Sequence, residues 1–323
     1  QVFGPFTMKV IDGGTFKWIG GTIEASAIID IAINVITTFN PTVSVFCHGV
    51  IHHRGTWNFE GGKLWGNGLF NNLSAGLILI TGTSDPADSW RIALNNAGIY
   101  RMNCGCAFRH WGGAFTNLTG GKLEVLQGTL LLDGVFVGDQ YGEILVSLGA
   151  TLNLSVGVDW RGTKAICHGL LQCSDFRFKG SVAQEMGGDG TFTHIRIENA
   201  AGVDLSGHVK VSVTIILVNG FVRCGDYSIT LENPLITALV GGSASSRFVC
   251  DGLGSFRRAV NGAGCFYPIG TTTKYCPITL SLTGGPQDVC GVRVRPTVNT
   301  SYGAIGVETG TTVSNNVVGC IWV

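Results

Sequence analysis

The first chemistry this chain offers is that of its eleven cysteines. They are Cys47, Cys104, Cys106, Cys167, Cys173, Cys224, Cys250, Cys265, Cys276, Cys290 and Cys320. So many thiols suit an exported, oxidised protein better than a cytosolic one. An odd number leaves at least one unpaired within a monomer, so bonds inside the chain and a bond between subunits are both open. Cys104 and Cys106 lie two apart in an apparent strand and share a face. A bond between such neighbours is strained. Partners in adjacent coils, about 4.8 Å away, are the expectation. Cys250, Cys265 and Cys276 fall in the C-terminal module and could staple a hairpin there. Two pairs, Cys47-His48 and Cys167-His168, set a thiol beside an imidazole, and His52 and His53 follow the first. Neighbouring strand residues face opposite ways, so neither pair chelates readily. No C-x-x-C spacing occurs. No metal and no cofactor is expected.

Acid–base chemistry has a thinner supply. Asp175, Arg177 and Lys179 alternate along one segment, and Asp159 and Arg161 along an earlier one. A lyase needs a base with groups that neutralise a uronate, and a hydrolase needs paired carboxylates. A solvated face with cross-strand salt bridges accounts for these residues more simply. The chain has no Walker loop, no G-x-S-x-G elbow and no dinucleotide fingerprint in context. It reads as a non-enzyme. Trp65, Trp90 and Trp111 fall away from the inward positions of the repeat described below. They are possible glycan contacts by ring stacking, but core or subunit contacts rank higher. Asn72, Asn117, Asn153 and Asn299 open N-x-S/T sequons, read as chance occurrences.

The elements that must position these groups are strands. Between Gly55 and Val146 a glycine opens a short run five times, and the second and fourth residues after it are apolar. Gly55 leads to Trp57 and Phe59, Gly76 to Ile78 and Ile80, and Gly98 to Tyr100 and Met102. Gly121 leads to Leu123 and Val125, and Gly142 to Ile144 and Val146. Alternate residues of a strand share a side, so each run has one buried face. The glycines recur every 21 to 23 residues. That interval is too short for a helical-hairpin repeat and lacks the leucine-rich consensus. It fits one coil of a parallel β-helix, whose inward side chains pack on the coil below. An antiparallel sandwich, the competing arrangement, needs no constant interval. Asn71-Asn72, Asn95-Asn96 and Asn117 precede the glycines. Turn chemistry explains them, and stacked corners would also align their amides into a ladder.

Composition agrees. Of 323 residues, 49 are glycine and 8 proline, 13% are charged, and 45% are apolar, which excludes collagen and argues against disorder. The 21 basic and 21 acidic residues balance, so nothing attracts a nucleic acid or an anionic membrane. No apolar run reaches the ~20 residues of a membrane span. Gln1 in place of an initiator Met reads as a mature chain after signal-peptide removal. Near residue 241 the texture changes. Gly241-Gly242-Ser243-Ala244-Ser245-Ser246 is followed by strands without the repeat. The fold class expected is all-β: a parallel β-helix (solenoid) over 1–240, then a smaller antiparallel, β-sandwich-like module over 241–323.

Several stretches carry a resemblance. They include Phe16-Lys17-Trp18-Ile19-Gly20-Gly21-Thr22, Leu94-Asn95-Asn96-Ala97-Gly98 and Gly149-Ala150-Thr151-Leu152. The run from Phe115 to Val125, Gly254-Ser255-Phe256-Arg257-Arg258 and Tyr267-Pro268-Ile269-Gly270-Thr271 belong with them. They resemble secreted β-helix repeat surface proteins of Bacteroidota. The resemblance implies export, often by the type IX route, and a cell-surface or adhesive role. That family usually carries a C-terminal sorting domain, which is not visible here, and the cysteine richness departs from its pattern.

The sequence therefore reads as an extracellular structural protein, a subunit of a surface fibre, sheath or layer that self-associates into a homopolymer. A monomeric adhesin binding cell-surface glycans, and a polysaccharide lyase or hydrolase, are the alternatives.

Overall fold

The computed structural model describes residues 6–11, 13–82, 89–136, 138–260, 264–281, 288–295 and 321–322. Cys320 and Asn299 lie outside them. The chain winds into a parallel β-solenoid of about 12 turns with a small antiparallel sheet. Each turn, or rung, contributes a strand to each of three faces, so the column is a three-sided prism.

Face one begins with Thr7–Val10, Ile28–Ile31, Val50–His53, Leu69–Asn72, Ala93–Asn96 and Phe115–Asn117, paired in parallel in that order. Face two stacks Thr15–Trp18, Ile36–Phe39, Thr56–Phe59 and Leu77–Ile80, then the first parts of Ile99–Trp111 and Lys122–Asp133, then Glu143–Val146. Face three carries Val45–Cys47, Lys63–Trp65, Ser89–Trp90 and the later parts of Ile99–Trp111 and Lys122–Asp133, followed by Thr151–Leu154 and Leu170–Cys173.

The glycine-led runs are successive rungs of face two, in register. The N–H of Leu77 bonds to the carbonyl of Gly55, that of Ile99 to Gly76, that of Lys122 to Gly98 and that of Glu143 to Gly121. All ten apolar residues predicted to point inward are buried. The interior is rich in aromatic rings. Trp57 meets Phe70 at 4.9 Å, Phe59 meets Phe108 at 5.0 Å, and Tyr100 meets Phe115 at 5.2 Å between ring centroids. Each such ring contributes roughly 1.5–3 kcal/mol by leaving water.

The corner between faces one and two explains both the glycines and the asparagines. Asn72, Asn96 and Asn117 occupy equivalent register positions and are fully buried. One amide hydrogen of Asn72 goes to Asn96 Oδ1 (2.7 Å) and one of Asn96 to Asn117 Oδ1 (2.8 Å). Their nitrogens also donate to the carbonyls of Ile99 (3.1 Å) and Lys122 (3.0 Å), bracing the next rung. A Cβ on Gly76 would sit 2.1 Å from Asn72 Oδ1, and one on Gly142 would sit 2.3 Å from Asn117 Nδ2. The amide ladder takes the space a side chain would need. At the lower end His53 continues the ladder with Nδ1 2.9 Å from Asn72 Oδ1, and at the upper end Gln140 Oε1 accepts the Asn117 N–H at 2.7 Å.

Parallel pairing does not stop at residue 241. Phe248–Val249 pairs in parallel with Val222–Arg223 and with Ile269–Gly270, so the polar break at 241–246 lies within the column. Antiparallel pairing enters beside these last rungs. Phe256–Val260 pairs with Asp288–Val292, and Cys265–Tyr267 with Ile278–Leu280. Two buried guanidinium groups fasten this end. Arg258 donates to the carbonyls of Phe266 and Leu235 (3.1 Å each), and Arg247 to that of Thr271 (2.8 Å). Carbonyl acceptors offset the cost of burying each charge.

Candidate functional site

Of the three tryptophans singled out from the sequence, the structure separates one from the others. Trp90 is fully buried, which removes it as a glycan contact and makes it one of the core residues that ranked higher. It stands in register with Leu64 and His110 on face three, and its ring packs on Phe70 at 5.1 Å. The glycine repeat marks only face two, so it carries no information about which residues of face three point inward.

Trp65 and Trp111 are half-buried on the outer side of face three. The register that pairs Phe46 with Trp65 and Trp111 with Asp133 sets Arg91 between the two indoles. Its guanidinium lies 4.6 Å from the Trp65 ring and 3.5 Å from the Trp111 ring. Arg109 approaches the Trp111 ring to 4.9 Å and pairs with Asp133. That ion pair holds the Asp133 carboxyl below its ordinary range. Exposed Phe46 extends the file, meeting Trp65 edge-on at 6.2 Å. Arg91, whose position in no motif drew attention to it, is the centre of the arrangement. Its spacing of 26 and 20 residues from the two tryptophans matches neither the other nor the repeat.

The charged residues considered for catalysis hold one another on face one. Lys179 bridges Asp159 (3.0 Å) and Glu198 (3.3 Å), Arg196 meets Asp175 (3.0 Å), and Arg161 meets Asp139 (2.7 Å). Their side chains are partly exposed, so each pair contributes on the order of 0–1 kcal/mol.

The cysteines divide into bonded and buried sets. Cys104 and Cys106 are bonded to each other, not to partners in neighbouring coils as expected. The ladder is interrupted on both sides of Asn103, freeing this segment from regular strand geometry. The two Cα atoms stand 5.3 Å apart, inside the usual range for a disulfide. Cys276 is also disulfide-bonded. The expected three-cysteine staple near the end is not what forms: Cys250 faces Cys224, and Cys265 is a buried thiol. Cys47, Cys167, Cys173 and Cys224 are buried thiols as well, and Cys290 is a half-buried one. Burial pushes the thiols up, Cys47 to about 12 and Cys167 and Cys173 to about 11. Thiolate is the nucleophile and metal ligand, so these groups are chemically quiet. His48 points out from Cys47 and meets Asn67 Oδ1 at 2.6 Å. Among the described residues no three His, Cys, Asp or Glu side chains converge to hold a metal. The sequon residues Asn72 and Asn117 are fully buried, which leaves them inaccessible for glycosylation.

Fold and surface together define a parallel β-solenoid whose most distinctive outward feature is an indole–guanidinium file. Compared with family models, curated proteins and solved structures, the chain matches none.

Proposed function

We propose that this chain is an extracellular structural protein, a rigid rod that builds a surface fibre, sheath or layer by self-association. The observation that carries the reading is the column itself, a parallel β-solenoid of about 12 turns in which each rung packs on the next. On its first two rungs Ile11, Ile19, Ile33, Ile36 and Val43 are exposed aliphatic side chains. Packing them against a second copy of the chain would remove that apolar surface from water. The bonded cysteines support an oxidising, exported setting, as does the resemblance to secreted surface proteins. Mutual neutralisation of outward charges along face one supports a passive surface over a catalytic one.

Sedimentation velocity and electron microscopy on the full chain test this. Expected are dimers or longer assemblies that an Ile19→Lys, Ile36→Lys double variant returns to monomers with unchanged circular dichroism. Strictly monomeric particles at high concentration would overturn the proposal.

A further inference from the structure

Most outward cations on the column are neutralised between rungs. Arg101 meets Glu124, Arg177 meets Asp159, Arg196 meets Asp175, Lys164 meets Glu185 and Arg223 meets Asp204. Arg91 is different. Among the described residues no carboxylate and no hydrogen-bond acceptor takes its five N–H donors; its only partners are the rings of Trp65 and Trp111. Lys63, on the strand of Trp65 and on the same outer face, has no ion-pair partner among the described residues either.

We infer that this file is a binding site for an acidic polysaccharide, with the Arg91 guanidinium as its anion fork. Stacking between two indoles fixes the plane of the guanidinium and shields its faces from water. The donors lie in that plane, so they stay available at the half-buried outer edge. A planar fork of fixed orientation matches a carboxylate or sulfate bidentately, which a lysine cannot do. The conformational cost of ordering the arginine is met by packing before the ligand arrives.

Two features favour a polymer over a lone anion. The file runs along the column axis, and each rung advances by about 4.8 Å, comparable to one pyranose unit of an extended chain. Phe46 and the rims of Trp65 and Trp111 give apolar contact beside the charge, matching the mixed polar and apolar faces of a sugar ring. A nucleic acid fits less well. The chain has no net charge, and two uncompensated cations neutralise few phosphates. The inference is independent of self-association, because Trp65, Arg91 and Trp111 face sideways on the third to fifth rungs.

The probes are oligogalacturonate and, as the neutral comparison, dextran fragments of equal length, followed by calorimetry and tryptophan fluorescence. Oligogalacturonate is expected to bind, to change indole emission, and to weaken as salt rises, while dextran is not. Arg91→Gln is expected to weaken binding at least tenfold, Arg91→Lys to restore it only in part, and Arg101→Gln on face two to leave it unchanged. If Arg91→Gln fails to fold, Lys63→Gln supplies the same readout with a smaller loss. No binding of oligogalacturonate, equal binding of dextran, equal binding of a single-stranded oligonucleotide, or undiminished binding by whichever of these variants folds would each overturn the inference.

Discussion

The sulfur atoms of Cys224 and Cys250 lie 3.2 Å apart in the closed interior, on two successive rungs. The register of Arg223 with Val249 sets the two cysteines side by side. Both are thiols here, and a bond needs an approach to only about 2.0 Å. The hydrogen bond to Cys250 and burial hold the Cys224 thiol well above its ordinary range, so the attacking thiolate is scarce in the folded state. Linkage is therefore expected during folding, not after it. Refolding with a glutathione redox pair should link them, the two thiols giving two electrons and two protons to glutathione disulfide. Peptide mapping should find the bond. Closing a loop across a separation of 26 residues should add about 3 kcal/mol to stability. Recovery of both cysteines as alkylated thiols after oxidative refolding would count against it.

The amide ladder is a second test. Asn96→Ala leaves a buried donor on Asn72 and a buried acceptor on Asn117 without their partner. Each orphaned group costs about 1–3 kcal/mol. Urea unfolding should show a loss of roughly 2–5 kcal/mol, with the solenoid's circular dichroism retained at low denaturant. A loss within experimental error would mean that water replaces the ladder.

Glycine substitutions should separate corner from turn. A Cβ on Gly98 would sit 2.2 Å from the Gly76 carbonyl oxygen and 2.5 Å from that of Leu73, both backbone atoms. A Cβ on Gly20 meets nothing nearer than Val43 Cγ2 at 3.8 Å. Gly98→Ala is expected to cost more than about 4 kcal/mol and Gly20→Ala to stay within about 0.5 kcal/mol. Similar melting temperatures for the two variants would contradict the corner geometry.

Stability should fall with acid in a defined window. Burial lowers His53 to about 4 and His110 to about 3 from an ordinary 6.5. Both are held neutral in the fold, His53 among Trp57 and Phe70 and His110 against the Ile92 carbonyl. Below pH 6.5 the unfolded imidazoles take up protons and the folded ones do not. Their contribution is complete above 6.5 and is lost as pH falls toward 4. Each supplies a slope approaching about 1.4 kcal/mol per pH unit there. Unfolding free energies measured between pH 7 and 5 should show it, and His110→Phe should reduce the slope. A flat profile would place these rings in contact with water.

The alternation of apolar residues and the interval between glycines specify the rung by themselves. Both are local: strand geometry sends every second side chain inward, and a corner glycine answers to a clash that recurs each turn. Gly55, Gly76, Gly98, Gly121 and Gly142 thus record the stacking directly, and Asn72, Asn96 and Asn117 beside them hint at the ladder. Faces one and three leave a weaker trace, because their connections vary in length and no fixed interval survives. Only the pairing of rungs decided that Trp90 turns inward, where the ladder breaks beside Cys104 and Cys106, and that Arg91 slots between Trp65 and Trp111. Such contacts depend on register between segments about twenty residues apart, and register is a property of the folded column.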